Sequence, residues 1–366
     1  MEELKTYNKL EVTVNKIDDA TITKLIANVA IGGHGNIEWD NKTVLANYIY
    51  KKDETYELVY SIIDFNGNVM GNYAENEGIL PTLFKNPKNE LYVSVVPYHP
   101  DKELEISIPL FNRTSIQEPK PNRPFPGKYI GNINQSSIFH DIDIFSDKKQ
   151  DKLLNIEFKD ENIKKKHTIK VEFPKDNKIF MVNNEIHLFA KDKSVYIHRQ
   201  IDEFGKELKR RKVNLDEFWC REILSLSFTD NSCLITDNGG KIALLEIDSK
   251  GKYKSNELID IGDEIYNTWK PVEIGDNCFV IQFNTEFGDG WFTIKGNELV
   301  EFYYGKGDKG YKNILTNKII DMGNNDLILD GINKTENNNY AVIFYNNVEN
   351  EEQNKKIIIL NKKCNK

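Results

Sequence analysis

The feature that most constrains the fold is a spacing. Three segments read Ile-Asp-x-x-Gly at the end of a β-prone run: Ile63-Asp64-Phe65-Asn66-Gly67, Ile201-Asp202-Glu203-Phe204-Gly205 and Ile247-Asp248-Ser249-Lys250-Gly251. In such a turn the Asp carboxylate accepts hydrogen bonds from backbone N–H groups, and Gly supplies the positive φ that closes it. The three glycines are 138 and 46 residues apart, so the first gap is three times the second. Self-similarity at a period of about 40–50 residues is the mark of a repeat architecture.

Steps of 46 from Gly67 reach Arg113 and Lys159, both in polar breaks, then Gly205, Gly251 and Asn297 in Lys295-Gly296-Asn297. The next step reaches Ile343, inside an apparent strand, with the turn displaced to residues 346–353. Seven units result. Between the turns lie short runs rich in Val, Ile, Tyr and Phe, such as Thr43–Tyr50, Glu57–Asp64, Val195–Asp202, Lys241–Asp248 and Cys278–Phe283. Several are apolar at consecutive positions, as in Ala243-Leu244-Leu245, Phe279-Val280-Ile281 and Ala341–Phe344. Strands buried on both faces read that way, whereas one-sided sheets alternate. One helical turn is expected at Leu215–Leu224, from Leu215, Phe218, Trp219 and Ile223 at i, i+3, i+4 and i+8.

About four short strands per unit predict an all-β fold, a seven-bladed β-propeller with four-stranded antiparallel blades. Six or eight blades, or two β-sandwiches, are the alternatives; sandwiches explain the strand density but not the period. One domain is expected over residues 1–366, with 1–36 and 350–366 supplying ring closure. Leu10–Val14 and Lys356–Leu360 would then share one blade or adjoining ones, removing exposed edges. The three turn segments resemble the broad class of propellers whose blades turn on an Asp-x-x-Gly hairpin between third and fourth strands. WD-repeat, Asp-box, kelch and PQQ signatures are missing, so the resemblance implies a fold and no particular activity.

Composition narrows the partners. The chain has 49 Lys+Arg against 57 Asp+Glu, a net charge of -8, so neither general nucleic-acid binding nor attraction to an anionic membrane is expected. No apolar run approaches the length of a membrane span. The four cysteines, Cys220, Cys233, Cys278 and Cys364, show neither CxxC spacing nor disulfide-scaffold density, so a reducing, cytoplasmic compartment is the default expectation. Lys outnumbers Arg 43 to 6, and Asn occurs 43 times, which is the habit of an A/T-rich genome.

No nucleophile elbow, metal-ligand spacing or cofactor motif is present, so no catalytic residue, metal or cofactor is expected. Gly305-Lys306-Gly307-Asp308-Lys309-Gly310 matches GxGxxG but leads into an expected strand, where a dinucleotide site needs a helix. Ligands of propellers meet the loops between blades. The loops expected here carry Tyr73, Phe125, Trp219, Trp269, Trp291 and Tyr304 with Asp216, Asp263 and Asp308. Aromatic rings beside carboxylates suit a basic peptide or a stacked sugar, and equally the plugging of blade junctions. Two basic runs, Lys164-Lys165-Lys166 and Lys209-Arg210-Arg211-Lys212, fall on expected outermost strands and would form one rim patch. Such lysines also protect sheet edges. The sequence therefore reads as a non-catalytic binding module for a protein partner. The alternative is a carbohydrate-binding or glycoside hydrolase-like propeller.

Overall fold

The computed structural model describes residues 11–17, 20–27, 34–39, 42–50, 56–64, 69–76, 79–89, 91–96, 106–108, 111–112, 115–116, 120–122, 128–141, 152–159, 162–169, 176–182, 184–192, 195–215, 219–225, 232–238, 240–269, 271–275, 277–305, 310–321, 327–335, 339–346 and 355–364. Every regular element among them is a strand, and no helix is long and apolar enough to cross a membrane.

The chain opens with β1 (Glu11–Ile17) and β2 (Ala20–Ala27). A sheet in chain order follows: β3 (His34–Trp39), β4 (Lys42–Tyr50), β5 (Tyr56–Asp64) and β6 (Val69–Asn76). Next come β7 (Ile79–Lys85) paired with β8 (Leu91–Val96), then β9 (Ile106–Ile108), β10 (Phe111–Asn112), β11 (Ser115–Ile116) and β12 (Lys120–Asn122), where β9 pairs with β12 and β10 with β11. Three four-stranded sheets then repeat one plan. The first is β13 (Lys128–Ile133), β14 (Ser136–Asp141), β15 (Lys152–Lys159) and β16 (Asn162–Ile169). The second is β17 (Asp176–Val182), β18 (Glu185–Asp192), β19 (Val195–Ile201) and β20 (Glu207–Val213). The third is β21 (Trp219–Ser225), β22 (Ser232–Asn238), β23 (Lys241–Ile247) and β24 (Tyr253–Asp260). A larger sheet holds β25 (Ile265–Thr268), β26 (Val272–Gly275), β27 (Cys278–Thr285), β28 (Asp289–Lys295), β29 (Glu298–Gly305), β30 (Gly310–Asn313) and β31 (Ile319–Asp321). Both β25 and β26 pair with β27, so the first strand of this sheet is interrupted. The chain ends with β32 (Leu327–Lys334), β33 (Asn339–Asn346) and β34 (Lys355–Lys363).

The last sheet runs β1-β2-β34-β33-β32, so it takes strands from both ends of the chain. Ala20–Ala27 pairs antiparallel with Lys355–Lys362. The expected sharing of one sheet by the two terminal strands is therefore found, with β2 between them. First strands of successive sheets lie side by side: β3 by β7, β7 by β13, β13 by β17, β21 by β25, β26 by β32, and β32 back by β3.

The Asp-x-x-Gly turns form as their chemistry requires. Asp202 Oδ1 accepts the N–H groups of Phe204 (3.0 Å) and Lys206 (2.8 Å), and Asp248 Oδ1 accepts those of Lys250 (2.9 Å) and Lys252 (2.8 Å). Gly205 has φ 90° and Gly251 φ 81°. A Cβ on Gly251 would also meet the Lys212 carbonyl oxygen, so this turn seats against the preceding sheet. All three turns join third and fourth strands of their sheets. Residues 65–68 of the first lie outside the described residues.

The consecutive apolar runs resolve into two faces. Along β27, Cys278 and Val280 join a cluster with Leu329, Tyr340, Val342 and Phe344 of the following sheet. Their neighbours Phe279, Ile281 and Phe283 join Ile242, Leu244 and Leu224 of the preceding one. Likewise Leu244 packs forward and Leu245 backward, against Phe189, Val213 and Leu215. Strand side chains alternate in direction, so a central strand feeds two interfaces at once. Each fully buried aliphatic or aromatic chain contributes about 1.5–3 kcal/mol to this stacking.

Two expectations are corrected. Trp219–Ser225 is a strand, not a helical turn. Register shifts between Cys220 and Glu222 and between Ile223 and Ser225 interrupt its pairing with β22, and Phe218 of the expected turn lies outside the described residues. Cys278 and Cys364 are disulfide-bonded across 86 residues of chain, against the expectation of free thiols. Spacing hid the pair because the two half-cystines come from different sheets.

Polar links also cross the stack. Arg211 Nε donates to His198 Nδ1 (3.0 Å), and His198 Nε2 lies 2.8 Å from His187 Nδ1. With His198 Nδ1 accepting, its Nε2 carries the proton and donates to His187. His187 Nε2 is then protonated and donates to Glu185 Oε2 (3.2 Å). One cation thus fixes two neutral tautomers in a row. Arg211 Nη1 also donates to the Asp248 carbonyl (2.8 Å) in the next sheet. Burial, then Arg211 and the neighbouring His187, lowers the His198 pKa to about 2; burial lowers that of His187 despite Glu185. A second buried link joins Lys362 of β34 to Glu301 (2.6 Å) and Tyr303 (2.5 Å) of β29. Tyr340 donates to the same Glu301 carboxylate (2.9 Å).

Reduction of the disulfide, or Cys364→Ser, is expected to lower the unfolding free energy by about 4 kcal/mol, from the entropy of the opened loop. The readout is a lower urea midpoint; an unchanged midpoint would show that the bond does not form in solution. The two imidazoles are depressed below their unfolded value of about 6.5, so the unfolded chain binds protons that the folded one refuses. Their stabilisation is complete above that pH and declines as pH falls below it, by about 1.4 kcal/mol per pH unit for His198, with His187 acting in the same direction. Urea midpoints between pH 7.5 and 5 should fall more steeply for the native chain than for His187→Gln/His198→Gln.

Candidate functional site

The most developed surface lies where β24 passes to β25 and β27 turns to β28. It begins with a tight crossing. Ile261 N–H donates to the Gly240 carbonyl (2.9 Å), and Asp260 Oδ1 accepts from Gly262 N–H (2.9 Å). Gly240 has φ 104°, and a Cβ there would press on the backbone of Asp263 at 3.1 Å. This places Asp263 over the end of β29, where its Oδ2 accepts the Tyr304 hydroxyl (3.0 Å). The Tyr304 proton is so used, and its oxygen accepts from Thr285 Oγ1 at 2.5 Å. Thr285 in turn accepts the Phe287 N–H (3.1 Å), holding the β27–β28 turn. Burial first, and the Asp263 carboxylate as well, pushes the Tyr304 pKa up to about 12, with the Thr285 bond opposing. Tyr304 is therefore a neutral hydrogen-bond relay at neutral pH.

A parallel link stands beside it. Asp289 Oδ1 accepts the Tyr311 hydroxyl (2.6 Å) and Oδ2 accepts the Leu329 N–H (3.0 Å). Burial raises the Asp289 pKa against these stabilising bonds. The first link ties loop to sheet, and the second ties β28 to β30 and β32.

Out of this frame stand three large aromatic side chains. Tyr266 is 45% exposed, Trp269 42% and Phe287 59%. Tyr266 donates to Glu286 Oε2 (3.4 Å). Partial desolvation, and the carboxylates of Glu286 and Glu264, raise its pKa. Residues 260–269 and 285–289 contain the carboxylates of Asp260, Asp263, Glu264, Glu286 and Asp289 and no Lys or Arg. Exposed rings within such a field suit a cationic or an amphipathic ligand.

The sequence-predicted face is only partly assembled. Tyr304 and Asp263 come to this corner, and Trp269 stands at the far end of β25, its N–H on the Gln282 carbonyl (3.0 Å). Trp291 does not present itself: it is fully buried, stacked on Tyr303 (4.7 Å between ring centres) and edge-on to Phe344 (5.7 Å). The Gly residues just before it made it look like a loop residue, yet Gly290 serves a close approach, since a Cβ there would strike the Tyr303 carbonyl oxygen. Tyr73 sits in β6 opposite Tyr60, and Trp219 opens β21 opposite Asp237. Phe125, Asp216 and Asp308 lie outside the described residues. Gly310 opens a strand, so the GxGxxG segment leads to no helix. The sequence reading passed over Thr285, Glu286 and Phe287. Their one signal in the sequence is the aromatic Phe287 set between Glu286 and Gly288-Asp289-Gly290, where a polar residue is the norm.

The basic runs lie on β16 and β20, the last strands of neighbouring sheets, as expected. Lys209, Arg210 and Lys212 are exposed, but Arg211 is buried at 8% in the His198 link and leaves the patch. Among the described residues, no group of three or more His, Cys, Asp or Glu could hold a metal ion.

No protein-family model matches this chain, and no curated protein matches it in sequence. Solved structures do resemble it. The β-propeller domain of the Trilobed protease from Pyrococcus furiosus is 11% identical at TM-score 0.51, over 89% of this chain and 94% of that one; it is described as having an open velcro topology. The β-propeller domain of Cps50 (Swd1) from Myceliophteria thermophila is 10% identical at TM-score 0.50, over 92% and 99%. The polysaccharide lyase Uly1 is 7% identical at TM-score 0.53, over 91% and 90%. At such identities the likeness defines the fold alone. The protein is an all-β propeller of the kind whose sheets turn on Asp-x-x-Gly hairpins.

Tyr304→Phe removes the relay between Asp263 and Thr285 and leaves a half-buried carboxylate short of a donor. It is expected to cost about 1–3 kcal/mol, seen as a lower thermal midpoint. Thr285→Val in the Tyr304→Phe background should add little beyond the loss of the turn contacts.

Proposed function

We propose that this chain is a single seven-bladed propeller over residues 1–366. Its role is that of a non-catalytic binding module which presents the corner around Tyr266, Trp269 and Phe287 to a protein partner. Seven blades are supported by the succession of first strands β3, β7, β13, β17, β21, β25/β26 and β32, with β32 beside β3. The β2–β34 pairing is the ring closure, drawing on residues 1–36 and 350–366. The disulfide favours an oxidising compartment over the cytoplasm that cysteine spacing implied.

The observation that carries the binding role is the exposure of three large aromatics along β25 and in the adjoining β27–β28 turn, amid carboxylates. Interfaces concentrate energy in such rings, and the negative field selects a partner segment bearing Lys or Arg. A second reading is carbohydrate binding, since flat exposed Trp and Tyr rings also stack on sugars; the likeness to a polysaccharide lyase keeps it in view.

The test is binding of a panel of Lys/Arg-rich peptides beside a panel of acidic and neutral oligosaccharides. Trp269→Ala and Tyr266→Ala are each expected to weaken peptide binding at least tenfold with the thermal midpoint unchanged. Binding of oligosaccharides alone, lost in the same variants, transfers the site to the second reading. Peptide binding indifferent to both variants refutes this corner as the site.

A further inference from the structure

A second surface, of the opposite sign of charge, lies along the outer edge of the sheets. The β19–β20 turn leans on the sheet before it: Asn155 donates to the Glu203 carbonyl (3.0 Å), and the rings of His167 and Phe204 meet at 5.9 Å. The two terminal strands β16 and β20 thereby belong to one rim. β16 carries Lys164-Lys165-Lys166. β20 exposes Lys209, Arg210 and Lys212. Glu157 stands opposite Lys165 across the β15–β16 ladder, and two carboxylates beside β20 are engaged elsewhere. Glu207 bonds Arg199 at 2.5 Å, and Asp202 caps its own turn.

Edge protection explains lysines but not the arginines. The chain uses Arg at 6 positions against 43 for Lys, yet Arg199, Arg210 and Arg211 lie together on the paired strands β19 and β20. Arg211 has its structural post. Arg199 and Arg210 face each other directly across the ladder, a like-charge pairing that costs stability. The guanidinium adds what an ammonium lacks, a planar fork that takes a carboxylate bidentately.

Backbone geometry adds a direction. Among the described residues β20 pairs with β19 alone, so its other row of N–H and C=O groups faces away from the sheet. The bulge between Gln200 and Ile201 lies at its beginning; Lys209 to Val213 runs in regular register. Arg210 and Lys212, two residues apart, project to one side about 7 Å from each other, opposite the buried Arg211 and Val213. Phe204 and Leu208, 60% and 50% exposed, supply an apolar end.

We propose that β20 is a docking edge for an acidic, extended segment of a partner protein, which adds as a strand and places carboxylates of alternate residues on Arg210 and Lys212. Strand addition of this kind draws affinity from main-chain bonds and specificity from alternate side chains. A nucleic acid is the poorer occupant. Its charge continues far past the rim, over a protein of net charge -8.

The test uses two fluorescent decapeptides of one composition, half Glu and half Val. In one the two residue types alternate along the chain; in the other all the Glu residues precede all the Val residues. Both are titrated by anisotropy with the full chain, at low and at physiological salt. The alternating peptide is expected to bind at least fivefold tighter than the blocked one and to weaken with salt. Arg210→Glu should weaken it at least tenfold, and Lys164→Glu/Lys165→Glu/Lys166→Glu by a smaller factor, all at native thermal midpoints. Trp269→Ala should leave it unchanged, which separates this edge from the aromatic corner. Equal affinity for the two peptides overturns strand addition. Indifference to Arg210→Glu, or displacement of the peptide by a duplex oligonucleotide that binds more tightly, overturns the proposal as a whole.

Discussion

The pairing of β2 with β34 is the interaction on which the rest of the structure depends. Among the described residues, every other sheet is assembled from strands close in sequence, so its pairing is held by short connections. This sheet joins residues 20–27 to residues 355–362. Loop-closure entropy opposes such a contact more than any hairpin. Two further contacts gather at the same strand: the buried Lys362 on Glu301 and Tyr303, and the Cys364–Cys278 bond one residue past its end. Both reach into the sheet of β25–β31. A buried ion pair by itself is weak evidence for stability, because desolvation offsets its attraction. Here it orients a strand end that the disulfide then retains.

The stacking of sheets face to face explains why the interior is both apolar and crossed by polar links. On a central strand with two buried faces, a polar group left without a partner costs free energy. The polar chains of two such links come bonded in series, as in Arg211–His198–His187–Glu185 and Thr285–Tyr304–Asp263. Each series ends on a group that reaches solvent or a loop. The first fixes imidazole tautomers inside one sheet and touches the next through Asp248. The second hangs a loop from a strand, and so sets where the exposed rings of Tyr266 and Trp269 stand.

Much of the fold was legible before the structure because it depends on local chemistry. An Asp that caps a turn and a Gly at positive φ act within five residues, so Asp202–Gly205 and Asp248–Gly251 read correctly from the chain alone. Consecutive apolar positions likewise announced two buried faces. Failures arose where local pattern and tertiary demand diverge. The apolar spacing from Leu215 to Ile223 looked helical, yet Trp219–Ser225 pairs as a strand with β22. The glycines before Trp291 mark a close strand approach, not a loop. Arg211 stands in a basic run, but its strand parity turns it inward.

The sequence by itself determined the repeat spacing, the turns and the all-β class, because each follows from interactions between residues a few positions apart. It also determined the charge of the two surfaces, acidic in the loops around Asp263 and basic on β16 and β20. Only the tertiary structure decided which residues share a surface. The disulfide partner of Cys364, the tautomers of His187 and His198, and the meeting of Asp263 with Tyr304 all join side chains apart in the chain. Such contacts are set by how strands pair, how sheets stack and where the ring of strands returns, and no local pattern encodes that distance.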